Sequence, residues 1–133
     1  MKIMVGYYDL TMDSKIVSTT LEQAKAFGAT LYLVTSMRVG EDVPKTAFDM
    51  AEENLTRGKQ FFLDHGVDCV TRLLETNLET GEALVQFAVK NQIDELIIGV
   101  RSRSKLGKII FGSTAQYVIL KSPCPVISVM DEK

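Results

Sequence analysis

With 133 residues, 46% of them hydrophobic, the chain can bury one sizeable core but is too short for two ordinary domains, so residues 1–133 are expected to form a single domain. A formal net charge of −2 argues against a surface built to grip nucleic acid, which needs a clear excess of Lys and Arg. No apolar run approaches the roughly 18–20 residues that span a bilayer, and "MKIMVGYYDL" places Gly6 and Asp9 where a secretory leader would stay apolar, so a cytoplasmic protein without membrane partners is expected.

The first predicted strand is "KIMVGYY", apolar enough to be buried on both faces, and it stops at Asp9. After "DLTMD", Asp13 or Ser14 caps a helix in which Val17, Leu21 and Ala24 recur at helical spacing until Gly28 closes it. "TLYLVTSM" is the second strand. Beyond the polar connection "RVGEDVP", Thr46 is expected to cap a long helix whose Phe48, Ala51, Leu55, Gly58 and Phe62 share one face and which Gly66 ends. The lone His65 falls at that helix end, where a surface or capping role is expected.

"VDCVTRLLE" alternates and reads as a third strand near a sheet edge, because polar residues interrupt it. "TNLETGEALVQFAVKNQ" supplies a loop and a third helix, with Thr80 as the expected cap and Leu84, Phe87 and Ala88 facing inward. "ELIIGV" is the fourth strand. Ser113 followed by Gln116 fits an S-x-x-Q capping box that starts a fourth helix, "SPCP" stops it, and "VISVM" is the fifth strand. Cys69 and Cys124 stand far apart without a C-x-x-C pattern and are expected to be buried apolar residues, neither disulfide-bonded nor metal ligands.

This alternation predicts an open, Rossmann-like α/β sheet of five parallel strands with helices on both faces. In such sheets ligands sit beyond the carboxyl ends of the strands, where strand order reverses, which directs attention to the loops after strands one and four. The second of these is "GVRSRSKLGKIIFGST". Gly112 precedes a helix start that offers Ser113, Thr114 and unpaired backbone N–H groups, a ready phosphate site. Arg101, Arg103, Lys105 and Lys108 could neutralise a polyphosphate there. A P-loop is ruled out by Ser102 and Ile109 around the Gly107–Lys108 pair, and a dinucleotide fingerprint by the lack of glycines after the first strand. A receiver domain would carry Asp at the end of the third strand, where this chain reads "LLE". A flavodoxin would need a hydroxyl-rich turn in place of "YYDLTMD". On capping and periodicity alone, a capped helix after a solvated basic loop reads equally well.

The frame G-x-x-G-x(9)-G-S/T after a fourth strand, leading into "KSPCPVISV", resembles the adenine-nucleotide signature of the universal stress protein family. Here it stands as Gly99, Ser102 in place of the second glycine, nine intervening residues, Gly112 and Ser113. The opening strand with Asp9 and the "GATLYLVTS" second strand extend the resemblance over essentially the whole chain. It implies the adenine nucleotide alpha hydrolase-like version of the fold. It also implies contacts to the nucleoside from Asp9, to adenine from Ser36 at the end of strand two, and to ribose and phosphates from Gly99, Ser102, Gly112, Ser113 and Thr114, with Arg101 as a secondary candidate. The expected ligand is ATP, with AMP or ADP as alternatives and Mg2+ as an optional companion. The implied role is that of a stress-response sensor or regulator, at most a slow ATPase, forming a homodimer through Val126 to Met130, an apolar strand that would otherwise expose unpaired backbone.

Two departures from the family pattern stand out. Many members read Asp-Gly-Ser where this chain reads Asp9, Leu10, Thr11. If the glycine replaced by Ser102 is left-handed, Ser costs roughly 1–2 kcal/mol there; if it admits a phosphate, a small Ser still fits and its hydroxyl can donate. The alternative to a nucleotide-binding regulator is a homodimeric interaction module of the same fold that binds no nucleotide.

Overall fold

The computed structural model describes residues 1–6, 14–40, 42–101 and 112–131, with the side chains of Arg101 and Asp131 left aside. In chain order the elements are β1 (Lys2–Gly6), α1 (Lys15–Phe27), β2 (Thr30–Arg38), α2 (Lys45–Asp64), β3 (Cys69–Thr76), α3 (Thr80–Lys90), β4 (Glu95–Arg101), α4 (Ser113–Lys121) and β5 (Val126–Asp131). The strands form one sheet in the order β3-β2-β1-β4-β5, every neighbouring pair parallel. β1 therefore lies at the centre, and β3 is an edge strand, as its interrupted pattern predicts.

Side chains alternate across each strand, so the sheet feeds two cores. Ile3 and Val5 of β1 join Leu31, Leu33 and Ile97 beneath α1 and α2, which contribute Ile16, Val17, Ala24, Leu55 and Phe62. Met4 points the other way, to Val34, Leu96, Ile98 and Val100 beneath Leu84, Phe87 and Ala88 of α3 and Ala115 and Val118 of α4. A central strand buried on both faces cannot alternate with polar residues, which is why β1 and β4 read as continuous apolar runs.

The helix ends separate what local chemistry decides from what docking decides. Ser14 caps α1, its hydroxyl accepting from the Val17 N–H at 3.4 Å. Gly28 closes α1 in the left-handed region (φ 57°), and Gly66 (φ 82°) follows α2; at both, the next N–H reaches back to a helix carbonyl, Ala29 to Ala24 at 2.9 Å and Val67 to Phe62 at 2.9 Å. His65 is the C-cap residue of α2, its ring tilted against Phe61 at 4.2 Å and its Nδ1 bonded to the Phe61 carbonyl.

Three expected caps are displaced by one or two residues. α2 begins at Lys45 with Pro44 as N-cap, and Thr46 lies inside the helix: the proline ring already holds φ at −66°, so the turn forms without a hydroxyl. α3 takes Glu79 as N-cap and Thr80 as its first helical residue. α4 starts at Ser113 with Gly112 as N-cap, so Ser113 is the first helical residue and not the cap. Within α2, Leu55, Gly58 and Phe62 are buried while Phe48 and Ala51 are half-buried, because the helix's first turns run out beyond the sheet-facing stretch. Both cysteines are free: Cys69 is buried and its thiol pushed up to about 12, burial outweighing the nearby Lys59 charge, whereas Cys124 is only half-buried, at the turn into β5. Tyr7, Tyr8 and Asp13 lie outside the described residues.

Candidate functional site

From β1 the chain builds outward through β2 and β3 on one side, then crosses over to lay β4 and β5 on the other. The switch point is thus the β1/β4 pair, joined in register at Ile3 with Glu95, Met4 with Leu96 and Val5 with Ile97. Helices that follow parallel strands start at the carboxyl edge, so the first turns of α1, α3 and α4 all rise around this crevice.

Gly99 stands in β4 opposite Val129 of β5, exposed at the edge of the crevice. Among the described residues a Cβ added there would meet Cδ1 of Ile16, at 3.4 Å, so the first turn of α1 closes one side of the position. Ser36 lies near the end of β2, in register with Leu74, and is 9% exposed. By alternation with Val34 it stands on the sheet face that α3 covers. Arg101 is the last residue of β4. Asp9 and Ser102 lie outside the described residues, so of the expected set Ser36, Gly99, Gly112, Ser113 and Thr114 are those placed by the structure with their surroundings.

The start of α4 is the clearest chemical feature. The first bond within this helix runs from the Gln116 N–H to the Gly112 carbonyl at 3.1 Å. The N–H groups of Ser113, Thr114 and Ala115 precede it and have no acceptor inside the helix. The N-cap, Gly112, has no side chain to cap them, Gly112 and Ser113 are exposed, and Thr114 is half-buried. Gly112 has extended backbone (φ −66°, ψ 157°) open to any residue, and nothing described lies within 4 Å of where its Cβ would be. Neither its conformation nor packing among the described residues asks for glycine here; space in front of three N–H groups at the positive end of a helix does suit an anion.

α3 starts beside α4. Gly81, buried in the first turn of α3, abuts Tyr117 of α4, and Arg38 at the end of β2 is ion-paired with Glu79 at the N-cap of α3. The spacing of residues gave no sign of either contact; a glycine inside an otherwise good helix was the one available signal for the first. Among the described residues, the carboxyl or thiol groups with displaced acidity stand at the opposite edge: Cys69 opens β3, and Glu95 opens β4 with its carboxyl raised by burial. Among the described residues no group of three or more His, Cys, Asp or Glu is assembled, and no helix is long and apolar enough to cross a membrane.

Residues 1–129 match the universal stress protein family. The structure is similar to that of a universal stress protein from Archaeoglobus fulgidus, with a TM-score of 0.87 at 30% identity, covering 99% of this chain and 98% of that one. A universal stress protein from the same organism, solved in complex with dAMP, superposes with a TM-score of 0.81 at 26% identity, covering 99% and 98%. In sequence, a universal stress protein of Mycolicibacterium smegmatis is 28% identical over 127 residues, 96% of this chain and 95% of that protein.

Proposed function

This chain belongs to the universal stress protein family, and from that footing we propose that it binds an adenine nucleotide at the β1/β4 switch point, with the phosphates at the start of α4. The observation that carries the reading is the first turn of α4 behind Gly112, an N-cap with no side chain to offer it, whose backbone is open to any residue and which no described atom crowds. Its N–H groups supply fixed donors, and Ser113 and Thr114 add hydroxyls beside them. The dAMP held by the Archaeoglobus fulgidus relative supports an adenine nucleotide as the occupant. ATP is the ligand expected from the family motif, and AMP is the test ligand nearest to the one that relative holds.

In this reading the protein acts as a cytoplasmic stress-response sensor or regulator through occupancy of the site, without dedicated catalysis. It works as a homodimer. β5 is an edge strand whose outer side pairs with no other described strand, and Met130 on it is exposed, as are Ile119 and Leu120 of α4.

Thermal unfolding with ATP, AMP and ADP, with and without Mg2+, tests the nucleotide reading. A ligand at about 100 times its Kd stabilises by ~2.7 kcal/mol, a rise of roughly 10 °C for a chain of this size. Gly112→Val, which fits the backbone but fills the open space, is expected to abolish the rise and leave the ligand-free melting temperature within a degree or two. No shift with any of the three at millimolar concentration would favour the interaction module that binds no nucleotide.

A further inference from the structure

Gly81 has ordinary helical backbone, not the left-handed conformation of Gly28 and Gly66. Alanine is the better helix former, so a glycine here is explained by the space it leaves. A Cβ at this position would lie 3.0 Å from Cβ, 3.1 Å from Cδ1 and 3.2 Å from Cγ of Tyr117. Carbon atoms in ordinary contact stand roughly 3.5–4.0 Å apart, so one added methyl group makes Tyr117, and the helix that carries it, give by a few tenths of an ångström. The contact is close to the start of each helix. Tyr117 is one turn beyond Ser113, and Gly81 is the second residue of α3. Beyond the contact both helices are anchored to the same core, α3 through Leu84 and Ala88 and α4 through Val118, while Ala115 fixes α4 just before Tyr117. A displacement at Tyr117 is therefore passed to the adjoining first turn of α4, which carries the donors.

We infer that Gly81 is a positioning residue for the nucleotide site: by letting Tyr117 seat directly against the α3 backbone, it fixes where the N–H groups of Ser113, Thr114 and Ala115 meet a phosphate. It touches no ligand itself. The inference rests on the proposed placement of phosphates at α4, and it adds that phosphate affinity, separately from nucleoside affinity, is set by the α3–α4 spacing. Hydrogen bonds to ionised phosphate oxygens depend on direction and distance, and losing one good charge-assisted bond is worth about tenfold or more in affinity.

The test compares AMP with adenosine, by calorimetric titration of the full chain. For the wild type, AMP is expected to bind at least about tenfold more tightly than adenosine, since only AMP reaches the α4 donors. Gly81→Ala is expected to weaken AMP about tenfold while leaving adenosine within twofold, with a cooperative unfolding transition retained. Tyr117→Ala, which removes the ring and lets the helices settle closer, is a second route to the same outcome should Gly81→Ala fold poorly. Unchanged AMP affinity in a folded variant overturns the inference and leaves the nucleotide reading intact. Equal loss of AMP and adenosine also overturns it, since that pattern marks general loosening of the fold. Wild-type protein that binds neither ligand overturns the nucleotide reading, and the inference with it.

Discussion

Replacing Thr20 by Val should make this protein more stable. Thr20 sits in α1 on the stripe between Ile16 and Ala24, 1% exposed, and its hydroxyl has no hydrogen-bond partner. Its surroundings are those of the apolar core that contains Ile16, Val17, Ala24, Ile97 and Val129. A buried hydroxyl without a partner forfeits its bonds to water and receives nothing in exchange, at a cost of about 1–3 kcal/mol. Valine keeps the β-branched shape, fills the same place with a methyl group and has a similar helix propensity, so neither a cavity nor a propensity loss offsets the gain. The expected increase is about 1–2 kcal/mol, seen as a higher urea midpoint at unchanged slope and a melting temperature raised by roughly 3–8 °C. Thr20→Ser, which keeps the hydroxyl and deletes the methyl, should move the midpoint the other way. An equal or lower midpoint for Thr20→Val would refute the reasoning, by showing that the hydroxyl is satisfied, for instance by the carbonyl one turn back.

Glu95 carries a second buried orphan, Oε1, and burial raises its pKa. Below the ordinary carboxylate pKa both folded and unfolded states hold the proton and burial carries no charge penalty. As pH rises from that value through the raised folded one, the unfolded chain gives up its proton first and stability falls. Glu95→Gln is therefore expected to be no more stable than wild type at pH 4 and distinctly more stable at pH 8, by urea unfolding at both; a gap that does not widen with pH would count against a buried charge. Met130→Lys places a cation on the exposed edge of β5 and should shift the homodimer to monomer in light scattering at micromolar concentration, leaving the melting curve of the monomer cooperative. A wild-type protein that is monomeric throughout would remove the dimer from the proposal.

The fold was legible wherever burial writes itself into the order of residues. β1 and β4, covered on both faces, read as unbroken apolar runs, and the interruptions in "VDCVTRLLE" marked β3 as an edge. Caps were legible where one residue acts on its own turn, as Ser14, Gly28 and Gly66 do. They were missed at Thr46, Thr80 and Ser113, where the helix starts one or two residues away from the most obvious hydroxyl. Such offsets are decided by how the helix seats on the sheet, and a hydroxyl one position out of phase cannot reach its N–H. The crevice to examine followed from topology, because a βα alternation with one reversal has one switch point. The abutment of Gly81 with Tyr117 and the pairing of Arg38 with Glu79 join residues about 40 positions apart and depend on helix adjacency, which periodicity within a single segment does not encode.

The central place of β1 has a consequence for the order in which the molecule is made. β1 can pair with β2 across a single helix, yet its other edge waits for β4, and the backbone N–H of Lys2 finally meets the Asp94 carboxylate across 92 positions of sequence, at 2.8 Å. Contacts so remote form late, after the entropy of closing a long loop has been met. The crevice lies on that seam. A chain in which only β1, β2 and β3 have paired offers no such crevice, so a ligand held there, as proposed, would act as a clasp on the completed sheet.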